Sequence, residues 1–311
     1  MKNFAVLGVW HVHTEEYARG VANTEGCRIA AVWDPDDSLA REWAQKLGCE
    51  ARTLDAILTD TDIQGVIVTT STDLHTEILL AAANAGKEIF TEKVLTITTA
   101  DAEKVRAAVI ASGKRFAISL PHYAEGGVRF AIDAARRGAL GKLNYVRVRK
   151  SHNGATKGWL PDTFFDPGQC GGGAMIDLGT HAVYLTCEFL GEPKKVHSVF
   201  TNVTGRAVED NAVSVMEFDG GAIGVAETGF VSEQYPFTVE LVGDKGTLFL
   251  RGDDLRWVCP ETGNVWTNAE IPQAAPAPYA VWASEAEIPA DYDIDHAVRL
   301  TRVMEMAYKG Q

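Results

Sequence analysis

Three short groups in this 311-residue chain combine residue types and spacings that could do chemistry. The first is Gly171-Gly172-Gly173-Ala174-Met175-Ile176-Asp177-Leu178-Gly179-Thr180-His181, which leads into the apolar run Ala182-Val183-Tyr184-Leu185. Asp177 and His181 are four apart, so a regular helix stacks them on one face. The apolar neighbours predict burial, and a buried carboxylate and imidazole need partners or a task. They either satisfy each other inside a core, or form an acid/base pair with the imidazole as proton carrier. The glycines let another chain segment or a ligand approach the helix N-terminus. The second group is Glu92-Lys93, directly after Glu88-Ile89-Phe90-Thr91. A lysine at the carboxyl end of a parallel strand sits where chemistry happens, and a neighbouring carboxylate tunes it. The plainer alternative is a solvated ion pair. The third group is His11-x-His13, after the first apolar run. Metal-dependent barrel hydrolases place such a pair at a first strand, but they need further ligands on an eight-fold βα repeat.

The elements that must position these groups decide between the readings. Phe4–Gly8, Arg28–Asp34, Gln64–Thr69, Glu88–Thr91 and Arg115–Ser119 read as buried strands. Helical stretches run from about Thr14 to Ala22, Ser38 to Leu47, through Glu77–Ala83 and from Thr99 to Ala111. Continuous apolar strands separated by helices predict a doubly wound parallel sheet of Rossmann type, with ligands beyond the strands' carboxyl ends. After Pro121 one more helix, Gly126 to Arg137, precedes longer alternating runs: 145–149, 196–200, 212–218, 223–227, 238–242 and 247–250. Hairpin-like turns at Asp219-Gly220-Gly221 and Gly243-Asp244-Lys245-Gly246 make these a largely antiparallel sheet with one exposed face. Pro272–Pro278 reads as a loop and Asp293–Lys309 as a final amphipathic helix. The fold class is therefore α/β, a Rossmann domain over 1–120 followed by an α+β domain with a large, mostly antiparallel sheet over 121–311. Because the βα pattern stops after five or six units, the barrel-hydrolase reading fails and no metal is expected.

Composition narrows the partners. Hydrophobic residues are 46% and charged residues 23% of the chain, as in an ordinary water-soluble protein. A net charge of −13 with no Lys/Arg cluster argues against nucleic acid. The N-terminal apolar run is too short for a signal peptide, and nothing approaches a membrane span. Cys27, Cys49, Cys170, Cys187 and Cys259 have no C-x-x-C spacing and read as reduced, mostly buried thiols of a cytoplasmic protein.

The loop after the first strand, Gly8-Val9-Trp10-His11-Val12-His13, keeps the first glycine of a dinucleotide fingerprint. Trp10 and His13 stand in the other two glycine places. Asp34 lies 26 residues after Gly8, roughly where an acid takes the adenosine ribose hydroxyls. Asp36 and Asp37 would repel a 2′-phosphate, which favours NAD over NADP. A plain turn residue before Pro35 is the alternative for Asp34.

The order of these features resembles the glucose–fructose oxidoreductase/inositol dehydrogenase/MocA family over nearly the whole chain. Glu92-Lys93-Val94 is similar to its E-K-P motif except at the last position. Thr69–His75, Ala82–Lys87, the G-G-G…D-x-G-x-H segment ending in His181, and the hairpin Val242–Leu248 match in order. The resemblance implies an NAD(H)-dependent oxidoreductase moving a hydride to or from a sugar, inositol or related polyol or keto-sugar. It implies that Lys93 lies near the nicotinamide and the reacting carbinol, that His181 is the general acid/base, and that Asp177 orients a substrate hydroxyl or holds the lysine. It further implies that Glu92 touches the nicotinamide ribose and that Thr70, Ser71 and His75 line the cofactor groove with Gly8, Trp10, His11, Val12 and Asp34. His122, Tyr123, Lys150, His152 and Trp159 are substrate-side candidates. The outer face of the second sheet would dimerise, giving a homodimer or homotetramer. Two alternatives stay open: an NAD-using lyase or glycosidase of the same fold, and a catalytically silent nucleotide-sensing regulator.

Overall fold

The computed structural model describes residues 1–284 and 286–311. The chain forms two compact units, Met1–Pro121 with Pro276–Thr301, and His122–Ala275 with Arg302–Gln311.

In the first unit, β1 (Lys2–Leu7), α1 (Thr14–Ala22), β2 (Cys27–Trp33), α2 (Asp37–Leu47), β3 (Glu50–Ala51), α3 (Leu54–Thr59) and β4 (Ile63–Val68) follow one another. They continue as α4 (His75–Asn84), β5 (Glu88–Thr91), α5 (Thr99–Ser112) and β6 (Phe116–Ile118). The six strands are parallel in the order β3-β2-β1-β4-β5-β6. Strand order reverses beside β1, so the loops leaving β1, β4 and β5 lie side by side at the sheet's carboxyl edge. Phe4, Ala5, Val6, Leu7, Val66, Ile67 and Val68 are fully buried, as strands covered on both faces must be. The strands expected from sequence are present within a residue or two. β3 and α3 fall in a segment left unassigned, because two residues of exposed strand carry no hydrophobic run.

The second unit contains α6 (Gly126–Arg136), β7 (Leu143–Ser151), the one-turn helices α7 (Gly154–Lys157) and α8 (Pro167–Cys170), and α9 (Thr180–Leu190). Strands β8 (Lys195–Thr201), β9 (Asn211–Glu217), β10 (Ile223–Gly229), β11 (Thr238–Gly243), β12 (Thr247–Arg251), β13 (Asp254–Val258) and β14 (Thr267–Asn268) complete an eight-stranded sheet. Its order is β14-β13-β12-β11-β7-β10-β9-β8, antiparallel except for β7 beside β10. Helix α9 packs on β7 and β10. The opposite face is a mixture of ion pairs and exposed apolar groups. Arg147 forks onto Glu227 at 2.8 and 3.0 Å, while Val199, Val215, Ile223, Phe249 and Trp266 stand exposed.

Two segments depart from the expected layout. Residues 272–278 precede a helix, α10 (Pro278–Ala283), whose Trp282 is fully buried beside Phe4 and Phe90 at ring distances of 4.8 and 5.8 Å. This apolar anchor returns Pro276–Thr301 to the first unit, whereas the sequence reading gives everything after residue 120 to the second. Of the five cysteines, only Cys170 and Cys259 are buried and the other three are half-buried, so the thiols are less enclosed than expected; none is disulfide-bonded among the described residues.

The final helix, α11 (Ile294–Lys309), carries His296, which is buried and receives a 3.0 Å contact from Arg299 at Nδ1. Burial, with the Arg299 charge adding to it, lowers its pKa to about 4. The unfolded chain therefore binds a proton near pH 6.5 that the folded chain refuses until about pH 4, so this group costs stability progressively across that window as pH falls. Denaturant unfolding of wild type and His296→Gln at pH 7 and pH 4.5 should show the wild type losing more stability on acidification. Equal losses would contradict the assignment.

Candidate functional site

The loop after β1 turns at Gly8, where φ is +82°. A Cβ there would lie 2.5 Å from the Thr70 Cα, so only glycine lets the β1 and β4 loops meet. Thr69 clamps the same junction, its hydroxyl donating to the Gly8 carbonyl at 2.6 Å. The Asp34 carboxylate reaches back from the end of β2, accepting the Val9 amide at 2.8 Å and the Asp36 amide at 2.9 Å. Both of its oxygens thus already order backbone, a role the sequence spacing did not disclose. Trp10 is half-buried, His11 buried and Val12 exposed. Ser71 is buried at the start of the turn into α4.

Glu92 and Lys93 leave β5 as buried groups, which excludes the solvated-pair alternative. Glu92 Oε1 accepts a short hydrogen bond from the Tyr17 hydroxyl of α1 and lies 3.4 Å from His11 Nδ1. Its Oε2 accepts the Lys93 amide at 2.7 Å and stands 3.9 Å from the Lys93 ammonium. Tyr17 also meets Ser119 Oγ at 2.8 Å, tying α1 to the ends of β5 and β6. Burial, then the Glu92 charge, drives the Tyr17 phenol well above its ordinary pKa, so it stays a donor. The Lys93–Val94 peptide is cis. His75 lies beneath it, with Nδ1 2.8 Å from the Val94 carbonyl; burial lowers its pKa and keeps the ring neutral. His13 sits outside with Nδ1 3.1 Å from Glu16. Burial opposes its charge, but the Glu16 hydrogen bond and the Glu92 charge prevail over burial and Lys93, and its pKa is raised.

In the second unit the glycine run serves a chain segment. A Cβ on Gly173 would lie 2.0 Å from the Glu209 carbonyl oxygen. Glu209 Oε1 accepts the Gly173 and Met175 amides, each at 3.0 Å, and the Tyr308 hydroxyl at 2.7 Å. Met175–Gly179 then forms a π turn before α9, so the regular-helix stacking expected for Asp177 and His181 is corrected. The wider turn leaves Asp177 half-buried and His181 buried. Single π turns of this kind recur at functional sites.

His181 meets His122 edge-to-face at a ring distance of 4.7 Å. His122 stacks on Phe237 at 4.3 Å, holds Glu125 through Nδ1 at 2.6 Å, and donates its amide to Tyr184 Oη at 3.1 Å. The Lys150 ammonium stands 5.7 Å from the Phe237 ring. His122 and Lys150 thereby share the Phe237 ring, with His181 packed on His122, while Tyr123 turns to Glu188 at 3.4 Å. His152 and Trp159 form a second group on Phe230, with His152–Phe230 at 5.0 Å and His152–Trp159 at 4.5 Å. Sequence reasoning missed Tyr17, Ser119, Glu125 and Phe237. Tyr17 alone carried a signal, a phenol on the buried face of α1 with Ala18 and Val21.

The fold and the loop chemistry define a class: a dinucleotide-binding Rossmann unit joined to a sheet-based α/β unit. Residues 2–120 match the oxidoreductase family with NAD-binding Rossmann fold, and residues 128–249 match the GFO/IDH/MocA C-terminal domain. The chain belongs to the Gfo/Idh/MocA family and is an NAD-binding oxidoreductase. It is 29% identical over 262 residues to the scyllo-inositol 2-dehydrogenase (NAD(+)) of Bacillus subtilis (strain 168), covering 79% of this chain and 72% of that one. The inositol 2-dehydrogenase of Rhizobium meliloti (strain 1021) is 28% identical over 263 residues, 79% of this chain and 74% of that one. Among solved structures, aldose-aldose oxidoreductase from Caulobacter crescentus superposes with a TM-score of 0.84 at 22% identity, over 99% of this chain and 97% of that one.

The residues present fit a dinucleotide on two structural grounds. Gly8 lets the β1 and β4 loops close together at the carboxyl edge of the parallel sheet, where such folds bind ligands. Thr70 Oγ1, buried beside Gly8, lacks a hydrogen-bond partner among the described residues.

Tyr17→Phe removes the hydroxyl that satisfies the buried Glu92 carboxylate. A hydrogen bond to a buried charge is worth about 1.5–3 kcal/mol, and urea unfolding of the variant should show a loss of that order. An unchanged midpoint would mean that Glu92 does not depend on Tyr17.

Proposed function

We propose that this protein is an NAD(H)-dependent dehydrogenase or reductase of CH–OH groups, acting on a sugar, inositol or related polyol or keto-sugar. The observation that carries it is a lysine buried at the end of β5 beside a hydrogen-bonded carboxylate, in a chain whose relatives include two named inositol dehydrogenases. NAD is the cofactor, and when bound it supplies the hydride acceptor or donor. Gly8, Trp10, His11, Val12, Asp34, Thr70, Ser71, His75, Glu92 and Lys93 would hold it. Asp36 and Asp37 beside Asp34 disfavour a 2′-phosphate.

Oxidising a carbinol requires its O–H proton to leave for a positioned group. We assign that proton to His181, with Lys93 stabilising the alkoxide or relaying it and Asp177 orienting a substrate hydroxyl. His122 packs against the His181 ring and limits its rotation. His122, Tyr123, Lys150, His152 and Trp159 are the substrate-side candidates. Lys150 supplies charge beside Phe237, and the half-exposed Trp159 offers a face on which a sugar ring can stack. The exposed apolar groups on the second unit's sheet support a homodimer or homotetramer. Among the described residues no helix is long and apolar enough to cross a membrane. The cysteines without disulfides support a cytoplasmic setting.

Lys93→Met and His181→Ala should each lower kcat/KM on a verified polyol by about 10²- to 10⁴-fold while the protein still binds NADH. Unchanged turnover would overturn the assignment, and turnover without net NADH change would move the reading to a lyase or glycosidase. Sedimentation velocity at micromolar protein should give a multiple of the 33.7 kDa chain mass; a species at that mass alone would contradict the oligomer.

A further inference from the structure

One group of side chains in the first unit has chemistry that a redox site does not require. His11, His13 and Glu92 each offer a ligand-type atom, and the three atoms lie within 4.8 Å of one another. We propose that these residues form a binding site for a divalent transition metal of the zinc class.

Donor type is the first support. Two imidazoles and one carboxylate, drawn from a loop and a strand end, form the His₂Glu set of open zinc sites, which leave remaining positions to water. Nitrogen donors select zinc, cobalt or nickel over magnesium and calcium. His13 is here only because it replaces the last glycine of the nucleotide fingerprint, so the site follows from this chain's own departure at that position.

Geometry is the second. Metal–ligand bonds of about 2.05 Å in a tetrahedron place two donors about 3.4 Å apart. His11 Nδ1 and Glu92 Oε1 stand at 3.4 Å. The same Nδ1 lies 3.3 Å from the His13 amide nitrogen, a long contact that ligation would replace. The His13 side chain is about half exposed and can swing to close the third edge.

The surroundings are the third. Ligating carboxylates and imidazoles are themselves held by outer partners. Glu92 has Tyr17 on Oε1, and an imidazole that ligates through Nε2 donates its Nδ1–H, for which Glu16 Oε2 lies 3.1 Å from His13 Nδ1. Lys93 lies on the other carboxylate oxygen, Oε2, at 3.9 Å. The two oxygens are thereby divided between the lysine and the proposed ion.

The proposed ion shares His11 and Glu92 with the residues that would hold NAD, so it is tested on the full chain stripped of metal and of dinucleotide, where its outcome is independent of the redox assignment. Cobalt(II) should produce visible d–d absorption with one equivalent bound per chain, and zinc titrated by calorimetry should displace it. His13→Ala, a change at an exposed side chain, should abolish the cobalt bands while the far-ultraviolet circular dichroism is preserved. Glu16→Gln should weaken zinc by about 10- to 100-fold. No cobalt bands in the wild type, or bands that persist in His13→Ala, would overturn the proposal.

Discussion

The first unit depends on a carboxylate held out of water. Glu92 is only 1% exposed at the end of β5, where an ionised group without partners costs several kcal/mol. Tyr17 from α1, the Lys93 amide, the Lys93 ammonium and the His11 ring all converge on it. Those partners come from separate elements, so satisfying one charge fixes the β1 loop, α1 and the β5 exit relative to one another. Ser119 extends the same network to β6 through Tyr17. A lysine placed by this network has a defined position, as the role proposed for Lys93 requires.

The second unit uses a different constraint, close backbone approach. Gly172 and Gly173 admit Tyr308 and Glu209 at separations that any Cβ would block. Glu209 then takes the amides at the start of the segment, and the π turn that follows sets the direction from which His181 enters α9. His122, stacked flat on Phe237, packs edge-on against His181 and defines its face. In both units the side chain proposed to react is of an ordinary type, and its surroundings are a network of buried polar and aromatic groups.

Much of this was legible in the chain. The parallel strands declared themselves as continuous apolar runs, and the antiparallel sheet as alternation, because burial on two faces or one dictates those patterns. Lys93 stands out by its place at the carboxyl end of a parallel strand, and His181 as a titratable group set among apolar neighbours. What stayed hidden was whatever depends on distant partners. The Tyr17–Glu92 bond spans 75 positions, and nothing near either residue announces the other. The π turn has no local signature, since the same residues suit a regular helix. Asp34 occupies the expected position, yet its engagement by the Val9 and Asp36 amides appears only once β1 and β2 are aligned. Trp282 pulls α10 into the first unit's core, a return that an Ala- and Pro-rich lead-in disguised.

Isotope transfer distinguishes hydride exchange between a carbinol carbon and NAD from proton chemistry at the same carbon. A panel of inositols and aldoses carrying deuterium at the reacting carbon would be incubated with the protein and NAD⁺, and the cofactor analysed by mass spectrometry. Hydride transfer gives reduced cofactor one mass unit heavier than that formed from unlabelled substrate. Consumption of substrate with the deuterium lost to water, or retained in product with the cofactor unlabelled, would contradict it.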